Sequence, residues 1–305
     1  MNIIISLLLR LVIATIPLLA IFYGAENFDY FDYAIVELGF PSWFLANYFT
    51  RVLLGSLCGL GFVVLFSGKD GRKFINVYIA LVTFLLLLEI LQVTVLPLNR
   101  VYFGFWELMK WNVWQGPAIW SLVLVSALLA LRFDQFKFLH LPTWIRFVIL
   151  LIGISTPFIL NYPPHWAIYG ERGMAESKDL LMADSIAIQT SDYIHLMKPE
   201  DIRTGKKLVC FASLTCPFCI RAAYKLHVLR TRNPNAQCYL ILTGSPEMLE
   251  KFEIRTSCQN VPRMLLDATL FNKITTGGVP KIYLTNQGKI THRLPYWAIN
   301  DEHVR

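Results

Sequence analysis

The sequence predicts a membrane α-helical bundle of about five transmembrane helices followed by a water-exposed α/β domain. Three observations carry that expectation. The chain is 55% hydrophobic and only 16% charged over 305 residues, too apolar for an ordinary soluble protein. Its charge is unevenly divided: residues 1–162 hold 10 Lys/Arg and 8 Asp/Glu, whereas residues 163–305 hold 18 and 13. The C-terminal part also alternates β-rich runs with helical patterns around Cys216-Pro217-Phe218-Cys219. A boundary at Tyr162-Pro163-Pro164 therefore separates a membrane region, 1–162, from a second domain, 163–305.

The apolar stretches run over residues 3–23, 52–66, 75–96, 118–131 and 145–160. A bilayer core needs about 20 apolar helical residues, so the second and fourth must extend into their Tyr/Trp-rich flanks. The first lacks a small-x-small cleavage site and is followed by more apolar segments, which favours retention over removal as a signal peptide. Lys and Arg in short loops resist translocation. The connections at 67–73 and 132–146 are basic and should be cytoplasmic. The segment holding Glu26, Asp29, Asp32 and Glu37 should face outward, as should the aromatic segment 98–114. With the N-terminus inside, five spans place residues 163–305 outside the cytoplasmic membrane, where disulfide chemistry is permitted. The net charge of +7 comes without a basic run interleaved with aromatics, so nucleic acid is not an expected partner.

In the second domain, 207–214 reads as a strand running into the Cys-x-x-Cys motif. Ile220, Ala223, Tyr224, Leu226 and Leu229 then recur at helical spacing until Asn233-Pro234. Strands follow at 238–243 and 263–266, with helices at 246–254, opened by a Ser245 cap, and 270–274. A hairpin at 281–285 and 289–293 turns through Asn286-Gln287-Gly288, and a short strand is expected earlier, at 185–188. Cys216 falls at a helix N-terminus, where unpaired N–H groups and the positive dipole end favour thiolate over thiol. Cys219, one helical turn on, brings a second sulfur within reach to resolve a mixed disulfide. Zinc would need a second ligand pair that the sequence does not supply.

This arrangement resembles the thioredoxin superfamily over about 206–296. The resemblance implies that Cys216 is the nucleophile and Cys219 the resolving thiol. It also implies that Val279-Pro280 is a cis-proline turn that docks the substrate backbone. Pro217 and Phe218 between the cysteines carry no charge, so tuning must come from the helix terminus. Cys210 stands six positions before the nucleophile, where many thioredoxins have a buried acid. Cys210 and Cys238 are expected to be small core hydrophobes. Cys258 is left open between a disulfide, with Cys238 as candidate partner, and an accessory thiol. His227 reads as a packed or half-exposed helix residue rather than a base.

The membrane region resembles the DoxX/MauE-type membrane proteins over about 5–132. The matching residues are Leu9-Arg10-Leu11, Tyr23-Gly24-Ala25-Glu26-Asn27-Phe28 and Val52-Leu53-Leu54-Gly55 after Arg51. That resemblance implies envelope redox or assembly work. Arg10 and Glu89 are ionisable groups inside apolar spans, a costly placement that marks them as candidate functional residues. Snorkelling of Arg10 to the inner surface and hydrogen bonding of Glu89 are the preferred structural alternatives. Cys58 has no partner in the membrane region, so an unaided transmembrane thiol relay is not expected. No cofactor is called for, with quinone the one alternative.

Together these features lead to the expectation of a membrane-anchored thiol-disulfide oxidoreductase of the bacterial inner membrane, with its C-terminal domain periplasmic. Its expected partners are membrane lipid, an envelope protein substrate with cysteines, and a separate redox partner that resets the Cys pair, with a larger membrane complex as a further candidate. The alternatives are an assembly or maturation scaffold with a structural disulfide, and a quinone-linked membrane redox protein.

Overall fold

The computed structural model describes residues 2–24, 28–66, 71–95, 115–132, 141–161, 204–275, 278–287 and 289–304. The expected strand at 185–188 lies outside them. The chain divides into two compact units, Met1–Pro163 and Pro164–Arg305.

The first unit is helical: α1 Asn2–Gly24, α2 Phe28–Glu37, α3 Trp43–Phe66, α4 Gly71–Val95, α5 Gln115–Arg132 and α6 Thr143–Leu160. Among the described residues, four of these helices are long and apolar enough to cross a membrane, namely α1, α3, α4 and α6. The remaining expected stretch, the fourth along the chain, forms a helix below that length. The helix α5 is apolar but shorter, since Pro117 sits at its start and Arg132 at its end. As expected, the second stretch extends into its aromatic flank, and α3 begins at Trp43 rather than near Val52.

The helix α2 falls in the acidic segment between the first two apolar stretches, where no helix is expected from the sequence. It is short, but nearly every residue from Phe28 to Val36 is buried. Gly39, at φ +100°, ends it in the left-handed conformation that a helix C-terminus favours, with the Gly39 N–H donating to the Val36 carbonyl at 3.0 Å. Asp32 of α2 is 3% exposed. It accepts from Asn47 Nδ2 (2.7 Å) and Thr50 Oγ1 (2.5 Å) and pairs with Arg51 at 3.4 Å. Burial pushes its carboxyl up to about 6, opposed by Arg51 and Thr50. Arg51 also donates to the Asn47 carbonyl (2.8 Å) and to the Asn161 carbonyl (3.1 Å) and Oδ1 (2.7 Å), tying α3 to the end of α6.

At the centre of this unit, α3 packs against α1, α2, α4 and α6. Its glycines let α6 approach closely: a Cβ on Gly55 would stand 2.7 Å from Ile154 Cα, and one on Gly59 would stand 3.0 Å from Leu150 Cα. Small residues at such crossings allow dispersion contacts between backbones, which drive helix association in lipid. Gly153 of α6 lies against the Gly59 backbone with no room for a side chain. Gly153→Val is expected to destabilise the unit by about 1–3 kcal/mol through overpacking. A lowered thermal midpoint in detergent would show this, and an unchanged one would contradict the close crossing.

The second unit carries a five-stranded sheet. Its elements are β1 Lys206–Ser213, α7 Pro217–Arg232, β2 Cys238–Thr243, α8 Leu249–Thr256, β3 Arg263–Leu266, α9 Ala268–Thr275, β4 Lys281–Asn286 and β5 Lys289–Leu294. Strand order is β3-β2-β1-β4-β5, with β1, β2 and β3 parallel and β4 and β5 antiparallel. Alternation along the strands sends Val209, Phe211, Tyr239, Ile241 and Met264 to one face, where Phe271 and Ile274 of α9 complete a core. The opposite face carries Cys210 and receives α7, whose Cys219, Ile220, Ala222, Ala223, Leu226 and Leu229 are buried. Ser245 occupies the expected cap position but makes no side-chain cap bond, because a 3-10 turn over Pro246–Met248 precedes α8. After β5 the chain forms two further 3-10 turns, Tyr296–Ala298 and Asp301–His303.

Candidate functional site

The site forms where β1 hands over to α7. Leu214 N–H donates to the Thr243 carbonyl at 3.0 Å, holding the end of β1 beside β2, and Cys216 N–H reaches back to the Ser213 carbonyl at 3.3 Å. Cys216 is the N-cap of α7, with extended backbone (φ −78°, ψ 124°), and its carbonyl accepts the first helical bond from Ile220 N–H. Pro217 fills the first helical turn, where its missing N–H costs nothing. The Cys216 side chain makes no cap bond, which leaves its sulfur available.

The two sulfurs have unlike surroundings. Cys216 is half-buried, with Thr215, Pro217 and Phe218 exposed around it, whereas Cys219 is fully buried. Burial holds the Cys219 thiol well above the ordinary thiol range, against a hydrogen bond with the Ser213 backbone, and Cys216 and Cys210 add to the rise. The Val279-Pro280 peptide is cis, and the Val279 carbonyl stands 4.0 Å from Cys216 Sγ. The structure thus brings together Cys216, Cys219, Pro217, Phe218, Val279 and Pro280 at one end of the sheet.

Cys210 is fully buried behind the pair on β1, and burial raises its thiol further than that of Cys238 or Cys258, each pushed up to about 11. Cys238 and Cys258 are both buried free thiols, so the open pairing between them is not formed. His227 is packed as expected, its Nδ1 2.9 Å from Asn260 Oδ1. Among the described residues, no group of three or more His, Cys, Asp or Glu is placed to hold a metal ion.

Arg10 and Glu89 have separate partners. Arg10 is 0% exposed and donates to the Val64 carbonyl at 2.7 Å, which corrects the expectation that it snorkels to the surface: a carbonyl near the end of α3 takes the place of water. Glu89 is bonded as anticipated, its Oε1 accepting from Trp120 Nε1 at 2.9 Å. A cavity of about 250 Å³ between α2, α3 and α4 is lined by apolar side chains, among them Phe40, Phe49, Phe84 and Leu88.

Sequence reasoning missed Tyr296 and Arg221. The Tyr296 ring lies 6.1 Å from that of Phe218, and the Arg221 guanidinium stands 5.5 Å from the Phe218 ring centroid. The aromatic pair Tyr296-Trp297, directly after an edge strand, was the available signal.

A helical region with membrane-length helices followed by a five-stranded α/β domain with a Cys-x-x-Cys helix start describes this protein. No family model matches the chain, and no curated relative matches it. Among solved structures, it is similar to a secreted Mycobacterium tuberculosis disulfide oxidoreductase homologous to E. coli DsbE. Identity is 12% and the TM-score 0.31, covering 37% of this chain and 85% of that one. It is also similar to the thioredoxin domain of a Bacteroides vulgatus thiol-disulfide oxidoreductase, with 18% identity and a TM-score of 0.29, covering 34% of this chain and 77% of that one. Both likenesses are distant.

Proposed function

We propose that the protein is a membrane-anchored thiol-disulfide oxidoreductase of the bacterial envelope, acting on cysteine-containing envelope proteins. The supporting observation is the pairing of a half-exposed Cys216 at a helix N-terminus, facing the Val279-Pro280 turn, with a buried Cys219 one turn on. In the reducing direction, the Cys216 thiolate attacks a client disulfide and the client's other sulfur leaves as a thiolate. Cys219, as thiolate, then attacks Cys216 Sγ, which releases the client's second thiol and closes the Cys216–Cys219 disulfide. The client gains two electrons and the site loses two. A separate redox partner supplies them again, and no cofactor enters the cycle. Reduction or isomerisation in a maturation pathway is favoured over net oxidation.

The membrane unit is proposed as a DoxX/MauE-like anchor in the inner membrane, with the N-terminus cytoplasmic and the C-terminal domain periplasmic. That orientation requires an odd number of crossings, hence α5 as the fifth. Its 18 residues span about 27 Å, close to the hydrocarbon thickness of about 30 Å.

The test is trapping. In membranes, a Cys219→Ser variant is expected to accumulate mixed disulfides through Cys216, seen as bands that collapse on reduction and vanish when Cys216 is also replaced. Absence of any such adduct would overturn this function and favour the assembly scaffold.

A further inference from the structure

We propose that Cys219 discharges the Cys216 mixed disulfide slowly, so that a free thiol of the client does so first and the site rearranges client disulfides more than it reduces them. This rests on the thiol-exchange function above and names its client class, proteins that hold a misplaced disulfide together with a free cysteine.

Cys219 stands in the first turn of α7 and is 0% exposed. The ionisable groups that act on it most strongly are both thiols, Cys216 and Cys210. Cys219 donates its S–H to the Cys216 sulfur, which keeps the proton on Cys219. Cys210 is buried on β1, against which α7 packs, and burial holds it as a thiol too. Neither offers a ready acceptor for the Cys219 proton once Cys216 is bound to a client.

The charged groups around them are turned to other partners or to solvent. On α7, the Arg221 guanidinium lies 5.5 Å from the Phe218 ring centroid, Lys225 donates to the Trp297 carbonyl of the tail, and His227 meets Asn260. Arg230 and Arg232 sit at the far end of that helix, the latter paired with Asp301. Among the acids on and beside α8 and α9, Glu253 pairs with Arg263, and Glu247, Glu250 and Asp267 are exposed. Lys281 of β4 stands opposite Phe211, whose side chain fills the other face of the sheet.

Attack by the Cys216 thiolate on a client disulfide forms a Cys216–client disulfide and expels one client thiolate. Only a thiolate can discharge that adduct, and Cys219 must first lose a proton from a buried position. A free client cysteine in water, with an ordinary pKa of about 8.5, meets no such barrier. Its thiolate attacks the client sulfur of the adduct, forms a new client disulfide and returns Cys216 as thiolate. The client neither gains nor loses electrons, so this cycle draws on no redox partner.

The test uses the full-length reduced protein in detergent and two peptides. The first, added in equimolar amount, carries a single cysteine disulfide-bonded to thionitrobenzoate. Release of the coloured thionitrobenzoate reports attack by Cys216, and mass spectrometry of acid-quenched samples follows decay of the adduct through Cys219. That decay is expected to accelerate roughly tenfold per pH unit from 7 to 9 without levelling off, as the thiolate fraction grows. The second peptide holds one disulfide and a free cysteine. At pH 7, rearranged peptide is expected to exceed reduced peptide roughly tenfold, with several peptides rearranged per protein molecule. Cys210→Asp supplies a proton acceptor behind Cys219 and should turn the product toward reduced peptide. Should that variant fail to fold, the wild-type decay profile and product ratio decide alone. Decay that levels off below pH 8, or reduced peptide in excess, would overturn slow discharge and leave thiol exchange standing. Absence of thionitrobenzoate release would overturn thiol exchange itself.

Discussion

Replacement of Cys216 by serine is expected to abolish thiol exchange while leaving the fold in place. Cys216 caps α7 with extended backbone and without a side-chain bond, a position that serine fills well and even improves by offering its hydroxyl to the first-turn N–H groups. What serine lacks is an ionisable sulfur, and the thiolate is the species that attacks a disulfide. The Cys216→Ser protein should thus unfold at or slightly above the wild-type midpoint yet release no thionitrobenzoate from activated peptides. Cys219→Ser should still make the first attack and stop there. Exchange persisting in Cys216→Ser would remove the geometric basis for the site, because the other five cysteines are all buried.

The second large effect is expected in the membrane unit. Asp32→Ala would leave the Arg51 guanidinium, whose side chain is 0% exposed, without its anionic partner, would remove the acceptor of Asn47 Nδ2, and would leave Thr50 Oγ1 only the Asn47 carbonyl at 3.2 Å. Breaking a buried pair from one side costs about 3–5 kcal/mol, since the surviving charge stays desolvated. Loss of folded yield or a much lower thermal midpoint in detergent is the expected result. Asp32→Asn should be milder, because an amide oxygen can still accept from Thr50 or Arg51. Equal stability of Asp32→Ala and wild type would show that the neutral carbonyl acceptors of Asn47 and Asn161 suffice for Arg51.

The same cluster explains where the sequence was opaque. Strands β2 and β3 could be read to the residue, because continuous apolar runs between Asn/Pro/Gly punctuation have one sensible assignment. The handover from β1 to α7 was equally legible, since Pro217 can only open a helix. By contrast, the buried network joining Asp32 and Arg51 was not visible. Apart from the Asn47 carbonyl one turn before Arg51, their partners lie 15 to 110 positions away, beyond a local window. Arg10 misled for the same reason, as its acceptor, the Val64 carbonyl, is 54 positions away. In the candidate site, the motif and the Val279-Pro280 turn were visible as spacing. Tyr296 was not, because its contact with Phe218 depends on the tail being folded back and fastened by Lys225.

The burial of five of the six cysteines has one more consequence. A water-borne thiol reagent meeting the reduced, folded protein finds a single accessible thiol, at Cys216, and unfolding uncovers the rest. The native chain is thus its own single-handled probe. A maleimide dye would tag the reduced form once and the Cys216–Cys219 disulfide form not at all, so redox occupancy could be counted molecule by molecule without engineering the sequence.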